Sequence, residues 1–234
     1  MSLLANALVT QARLRRRVRR LARREPPSIL ELLPRYAPRG SFADIGCMWN
    51  VDGRTAFLAE EHGASAVTGV DIGPATDRFL REHERRGSRV RFVRGDLHDE
   101  PVLREIGVHD VVWCAGVLYH APHPVLTLER LRSITRDVLI LGSFTLPEVP
   151  GMKQACVFFP ALPDAHRRAY ARAVLPGAIG LTTPFEPAHG YSNWWWGVTA
   201  SALEAMLSAT GFEVIERHRS PFYLAVAARP VRGE

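Results

Sequence analysis

Phe42-Ala43-Asp44-Ile45-Gly46-Cys47 is a short apolar run that ends on an acidic residue and a glycine, and its reading decides the fold. In a doubly wound α/β sheet, ligands sit at the carboxyl ends of the strands. A glycine at such a tip lets the backbone approach a bound molecule that a side chain would push away. The same ending recurs along the chain. Gly69-Val70-Asp71 follows at roughly the spacing from which a second acidic residue reaches a ribose hydroxyl pair. Gly95-Asp96-Leu97 supplies a third acidic strand end, and Cys114-Ala115-Gly116 a fourth strand end.

Outward from these tips, strand-like and helical stretches alternate, as expected of a parallel sheet covered on both faces. Strands are expected at Ser41 to Ile45, Ala66 to Val70, Arg89 to Val93, Asp110 to Cys114 and Val138 to Ser143. The fourth is apolar on both faces, as a central strand should be. Helices are expected at Arg54 to His62, Thr76 to Arg86 and Pro124 to Ile134. Residues 147–197, rich in proline, glycine and aromatics, are too long for a simple connector and read as an insertion or lid. A last helix, Thr199 to Ala209, has a hydroxyl near its N-cap and Gly211 beyond its end. Glu213 to Arg217 and Tyr223 to Ala228, split by Ser220-Pro221, complete the sheet as a hairpin. The expectation is a Rossmann-like α/β fold: seven strands, mostly parallel, with helices on both faces.

The chain has 234 residues with 47% hydrophobic content, enough for one domain with a sizeable core. Residues 41–234 read as that domain, and residues 1–40 as a basic helical extension. Eight arginines, from Arg13 to Arg24, carry more charge than the formal net +6, so the remaining chain is slightly acidic. A domain gripping folded RNA spreads basic groups over its face to neutralise many phosphates. Here only the extension could do so. Leu14, Val18 and Leu21 give that extension a narrow apolar stripe for packing on the domain or on a second copy in a homodimer, and membrane or RNA attachment are the other options. Met1 to Val9 is short and precedes the arginines, unlike a secretory signal, and no window reaches the roughly 18 apolar residues of a spanning helix. A cytoplasmic location is expected. Cys47, Cys114 and Cys156 match neither a disulfide framework nor a zinc pattern, and no metal site is expected.

In its strand ends, and from about Ser41 to Ala228, the sequence resembles the class I methyltransferases that use S-adenosylmethionine (SAM). The resemblance implies SAM as cofactor. It implies that Asp44, Gly46, Cys47 and Gly53 lie around the first loop against the methionine part, that Asp71 with Ile72 holds the ribose, and that Asp96 with Leu97 meets the adenine. Backbone at Cys114 and Ala115 would face the methionine moiety. The chain departs from the family in its glycine loop, where Met48, Trp49, Asn50, Val51 and Asp52 intervene before Gly53. Either these residues are an insertion and Gly53 is the last glycine of the motif, or Met48 and Asn50 replace glycines and crowd the cofactor.

The stretch Gly116-Val117-Leu118-Tyr119-His120-Ala121-Pro122-His123-Pro124 is similar to the segment after strand four in the tRNA wobble-uridine carboxymethyltransferase-like group. Asn193-Trp194-Trp195-Trp196 is similar to that group as well. Tyr119 and His120 fall where an acceptor would meet the methyl group, and an imidazole titrating near neutrality could take a hydroxyl proton. An equal alternative is that both merely shape the pocket wall. Candidate acceptor residues are Tyr119, His123, His189, Tyr191, Trp194, Trp195 and Trp196, and three adjacent tryptophans cannot all face one way. Three functions stay open: methyl transfer to oxygen or nitrogen of a small molecule, RNA modification of the wobble-uridine type, and a non-catalytic adaptor.

Overall fold

The computed structural model describes residues 29–174, 181–220 and 222–231. The expected basic helix of residues 1–24 lies outside them. Five strands run parallel: β1 (Ser41–Ile45), β2 (Ala66–Asp71), β3 (Arg91–Arg94), β4 (His109–Ala115) and β5 (Thr135–Phe144). Two more strands, β6 (Cys156–Phe158) and β7 (Trp196–Val198), pair with each other apart from the main sheet. The hairpin of β8 (Phe212–Ser220) and β9 (Tyr223–Pro230) joins the main sheet antiparallel through β9 and β5. The seven-stranded order is β3-β2-β1-β4-β5-β9-β8, which is the Rossmann-like arrangement expected.

The helices are α1 (Leu33–Tyr36), α2 (Arg54–Glu61), α3 (Asp77–Arg86), α4 (Glu100–Ile106), α5 (Pro124–Ile134), α6 (Asp164–Val174) and α7 (Ala200–Ala209). The central strands send successive side chains to opposite faces, and both faces are apolar. Val111, Trp113, Val138 and Ile140 join Leu33, Phe57 and Phe79 under α1, α2 and α3. Val112, Cys114, Leu139 and Leu141 join Ile106, Leu128, Leu131 and Leu203 under α4, α5 and α7. A third, smaller cluster of Tyr119, Phe159, Tyr170, Leu181, Trp194 and Phe222 holds the insertion against the sheet.

Three of the departures from the sequence reading have a visible local cause. β3 starts at Arg91 because residues 88–90 are drawn to α2: Ser88 Oγ and the Arg89 amide both donate to the Glu60 carboxylate. The Asp99-Glu100-Pro101 start and Gly107 stop delimit α4, a helix too short to show apolar periodicity. Residues 29–39 were grouped with the extension, yet Leu32, Leu33, Tyr36 and Ala37 are core residues on the α2 face. Arg35 and Tyr36 also reach Glu216 on β8, so this segment is packed as part of the domain.

Candidate functional site

The strand order reverses between β1 and β4, and outside their carboxyl ends lies a cleft of about 590 Å³. Reversal points of this kind are where open α/β sheets bind ligands, and small-molecule sites run from roughly 300 to 1,000 Å³. The tips are stitched by backbone hydrogen bonds. The Gly46 and Cys47 amides donate to the Val70 carbonyl, Gly95 N–H to the Asp71 carbonyl, and Gly116 N–H to the Gly142 carbonyl. Gly46 has φ +79° and a Cβ there would meet Val117 Cγ2 at 2.4 Å, so this turn requires glycine.

Two carboxylates face the cleft with partners already assigned. Asp71 accepts the Met48 amide at 2.8 Å and the Gly73 amide at 2.9 Å. Asp96 accepts the His98 amide at 2.9 Å, and the Tyr191 hydroxyl lies 3.0 and 2.9 Å from its two oxygens. Burial, and then the Asp96 charge, hold the Tyr191 phenol above its ordinary range, so it stays a donor. His98 donates from Nε2 to Thr127 Oγ1 at 2.9 Å, because the Thr127 proton goes to the His123 carbonyl. Burial pushes the His98 imidazole below its usual value.

On the opposite wall, His120 Nδ1 is 2.7 Å from the Asn193 carbonyl oxygen. A carbonyl only accepts, so Nδ1 carries the proton and Nε2 keeps a lone pair. Burial lowers the His120 pKa, which favours this neutral form. Asn193 is itself buried and tied to the insertion: its amide nitrogen donates to the Glu186 and Gly190 carbonyls, and its oxygen accepts the Glu186 amide. Next to it Trp194 stacks on Tyr119, with centroids 4.1 Å apart at 24°. The Trp195 amide donates to the Tyr119 carbonyl at 2.9 Å. Residues 191–195 therefore form a strap from the tip of β3 to the turn after β4.

Of the residues singled out in the sequence, the cleft is lined by Gly46, Asp71, Ile72, Asp96, Leu97 and Ala115, and by Tyr119, His120, Tyr191 and Trp194. Others are displaced from its wall. Asp44, 2% exposed, accepts the Ala56 amide in the first turn of α2, whose N-cap Gly53 has no side chain to offer. Burial raises its pKa to about 7, and Oδ2 has no partner. Gly53 opens α2 at φ +74° with Phe79 behind it. Cys47 lies against Gly69 in the α1, α2 and α3 face, Cys114 lies in the opposite face, and burial raises both thiols, Cys114 to about 12.

On the acceptor side, His123 sits before α5 with its ring 6.4 Å from that of His98. His189 is exposed. Trp195 and Trp196 pack on Phe158, and their indoles donate to the Gly190 and Pro122 carbonyls. That satisfies both indoles away from the cleft, Trp196 against the core, and Trp194 alone of the three reaches the cleft. The sequence reading passed over His98 and Thr127 and took Asn193 only as part of the Asn193-to-Trp196 motif. Of the two passed over, only His98, two positions beyond Asp96, carried a signal.

The excursion in the glycine loop closes on itself. Gly53 N–H donates to the Cys47 carbonyl at 2.6 Å, and the Val51 and Asp52 amides both donate to Met48. Residues 48–52 thus leave the strand tip and return to it, so that Gly53 opens the helix.

A doubly wound sheet with acidic and glycine strand tips around one cleft, closed by an antiparallel hairpin, defines a class I methyltransferase fold. Residues 43–138 match the family described as a methyltransferase domain. No curated protein sequence matches the chain significantly. Among solved structures it is similar to the 1,6-didemethyltoxoflavin-N1-methyltransferase of Burkholderia thailandensis, bound to 1,6-didemethyltoxoflavin and S-adenosylhomocysteine (SAH). The identity is 18%, the TM-score 0.59, and the match covers 87% of this chain and 77% of that one. A putative methyltransferase of Bacillus halodurans matches with TM-score 0.60 and 16% identity over 88% of this chain and 99% of that one. The magnesium protoporphyrin IX methyltransferase of Synechocystis, with bound SAH, matches with TM-score 0.52 and 17% identity over 86% and 80%. Residues 43–138 thus match a methyltransferase domain, and the chain shares its fold with methyltransferases whose structures hold SAH. Among the described residues, no helix is long and apolar enough to cross a membrane.

Proposed function

We propose that the protein transfers the methyl group of SAM to an oxygen or nitrogen of a small-molecule acceptor held between Tyr119, His120 and the insertion. The carrying observation is the 2.7 Å hydrogen bond from His120 Nδ1 to the Asn193 carbonyl. It orients the imidazole and leaves Nε2 as the basic nitrogen of a residue lining the cleft.

On this reading Asp71 and Ile72 hold the ribose end of SAM, Asp96 and Leu97 the adenine, and Gly46 with the backbone at Ala115 the methionine part. Three features support the fit. Asp71 and Asp96 face the cleft on backbone-fixed tips. Gly46, at φ +79°, turns the β1 tip along the cleft wall with Val117 packed against it. The charged side chains lining the cleft among the described residues are these carboxylates, without lysine or arginine, which complements a sulfonium and an ammonium group. The same charge pattern favours an uncharged acceptor over a phosphodiester, and the small molecule bound to the Burkholderia enzyme is a precedent on the same fold. Asp44, Cys47, Gly53 and Cys114 support the tips from behind.

SAM, when bound, supplies a methyl group on a positively charged sulfur, which the acceptor atom displaces in line. Catalysis then consists mainly of holding both reactants in attack geometry and keeping water out. Tyr119 and Trp194 give the acceptor a flat aromatic wall. Neutral His120 takes the proton that the acceptor loses. Trp195, Trp196, His123 and His189 act behind this wall, and residues 147–197 serve as its lid.

The test is transfer of radiolabelled methyl from SAM to a panel of phenols, N-heterocycles and bulk tRNA. Label in small molecules, lost in His120→Ala while SAH still binds, is the expected result. Label in tRNA alone would overturn this reading in favour of RNA modification.

A further inference from the structure

The excursion 48–52 is held in place without packing its largest side chain. The Met48 amide is bonded to Asp71, Thr76 Oγ1 donates to Asp52 at 2.8 Å, and Arg78 pairs with Asp52 at 3.6 Å. Asn50 and Asp52 take left-handed conformations, φ 60° and 49°, which fix how the loop turns. Trp49 is nonetheless 50% exposed, and no ring or hydrogen-bond partner engages its side chain among the described residues. Val51 and Ile72 are exposed at 39% and 43%, and all three side chains line the same cleft. An ordered loop that presents an uncovered indole beside two other apolar groups, at the edge of a ligand cleft, marks a surface that the ligand covers.

We propose that Trp49 is a cofactor-contact residue, covering the adenosine part of SAM from the loop that also fixes Asp71. The inference rests on SAM being the cofactor and is independent of the acceptor reading. The covalent link matters here. The Met48 amide holds the carboxylate that faces the ribose, and the next residue is the indole, so Asp71 and Trp49 keep one geometry relative to the adenosine. The departure from the glycine pattern then supplies binding surface in place of crowding.

Calorimetry with SAH on wild type, Trp49→Ala and Trp49→Phe tests this, with 5′-methylthioadenosine, which lacks the amino-acid part, as competitor. The expected result is a loss of about tenfold or more in Trp49→Ala for both ligands, largely restored in Trp49→Phe, with the thermal unfolding midpoint unchanged in both variants. SAH affinity in Trp49→Ala within twofold of wild type would overturn the proposal. Weakened SAH with unchanged 5′-methylthioadenosine would overturn it too, by moving the contact to the methionine end. Failure of the cofactor assignment itself reads differently, as wild type that binds neither ligand.

Discussion

The two banks of the cleft are built in different ways. On the bank proposed for the cofactor, Asp71 and Asp96 hang from consecutive strand tips and accept backbone amides two residues on or on the adjacent loop, and of the two only Asp96 also takes a hydroxyl from the insertion, that of Tyr191. On the bank proposed for the acceptor, His120 is set by a carbonyl 73 residues away, and Tyr119 by Trp194 and Trp195 of the same remote segment. The first bank is a product of sheet topology. The second exists only when the insertion has folded onto the sheet.

The largest expected effect falls on the acceptor bank. His120→Ala should lower turnover by about 10²–10⁴-fold, the usual range for loss of a general base, while calorimetric SAH affinity stays put. Burial lowers the His120 pKa from its ordinary value of 6.5, and in the proposed mechanism the neutral form is the active one. The rate against pH should therefore be level above 6.5 and fall only as acidity protonates His120. A rate that climbs steadily above that point would break the assignment.

On the cofactor bank, Asp71→Ala should weaken SAH by roughly ten- to a hundredfold, since hydrogen bonds to charged groups contribute about 1.5–3 kcal/mol. If the loss were instead in kcat with SAH binding intact, the division into two banks would fail. Asp44 gives a stability signature. Its carboxyl is raised from 3.8 to about 7, so the ligand-free folded state holds a proton that the unfolded chain releases. Stability should decline as pH rises through that interval and level off above it. Asp44→Asn, followed by denaturant unfolding at several pH values, should remove the decline. The smallest effect is expected where the banks meet. Tyr191→Phe deletes one hydroxyl bonded to Asp96 and should cost about 0.5–1.5 kcal/mol, read as a few-fold faster SAH release in stopped flow.

The same division explains what the sequence disclosed. Asp71, Asp96 and Gly46 were legible because a parallel sheet puts successive strand ends on one edge, so short patterns suffice to locate them. Asp44 followed the pattern equally well yet turned inward, because a helix start with Gly53 at its cap left the Ala56 amide in need of an acceptor. That choice depends on three-dimensional neighbours. Asn193 was read only as part of a tryptophan-rich motif, since its contribution is a backbone carbonyl, which any residue has. Among Trp194, Trp195 and Trp196, identical side chains went to different places, and only the carbonyls at Gly190 and Pro122 decide which two point away.

The small aromatic cluster of Phe159, Tyr170, Leu181, Trp194 and Phe222 is separate from the two clusters that sandwich the sheet. The wall proposed for the acceptor thus has its own foundation. Substitutions at Phe159 or Leu181 can reshape the room offered to an incoming molecule while β1 to β5 keep their packing. Retargeting such an enzyme toward a new compound would begin there, with the cofactor machinery left alone.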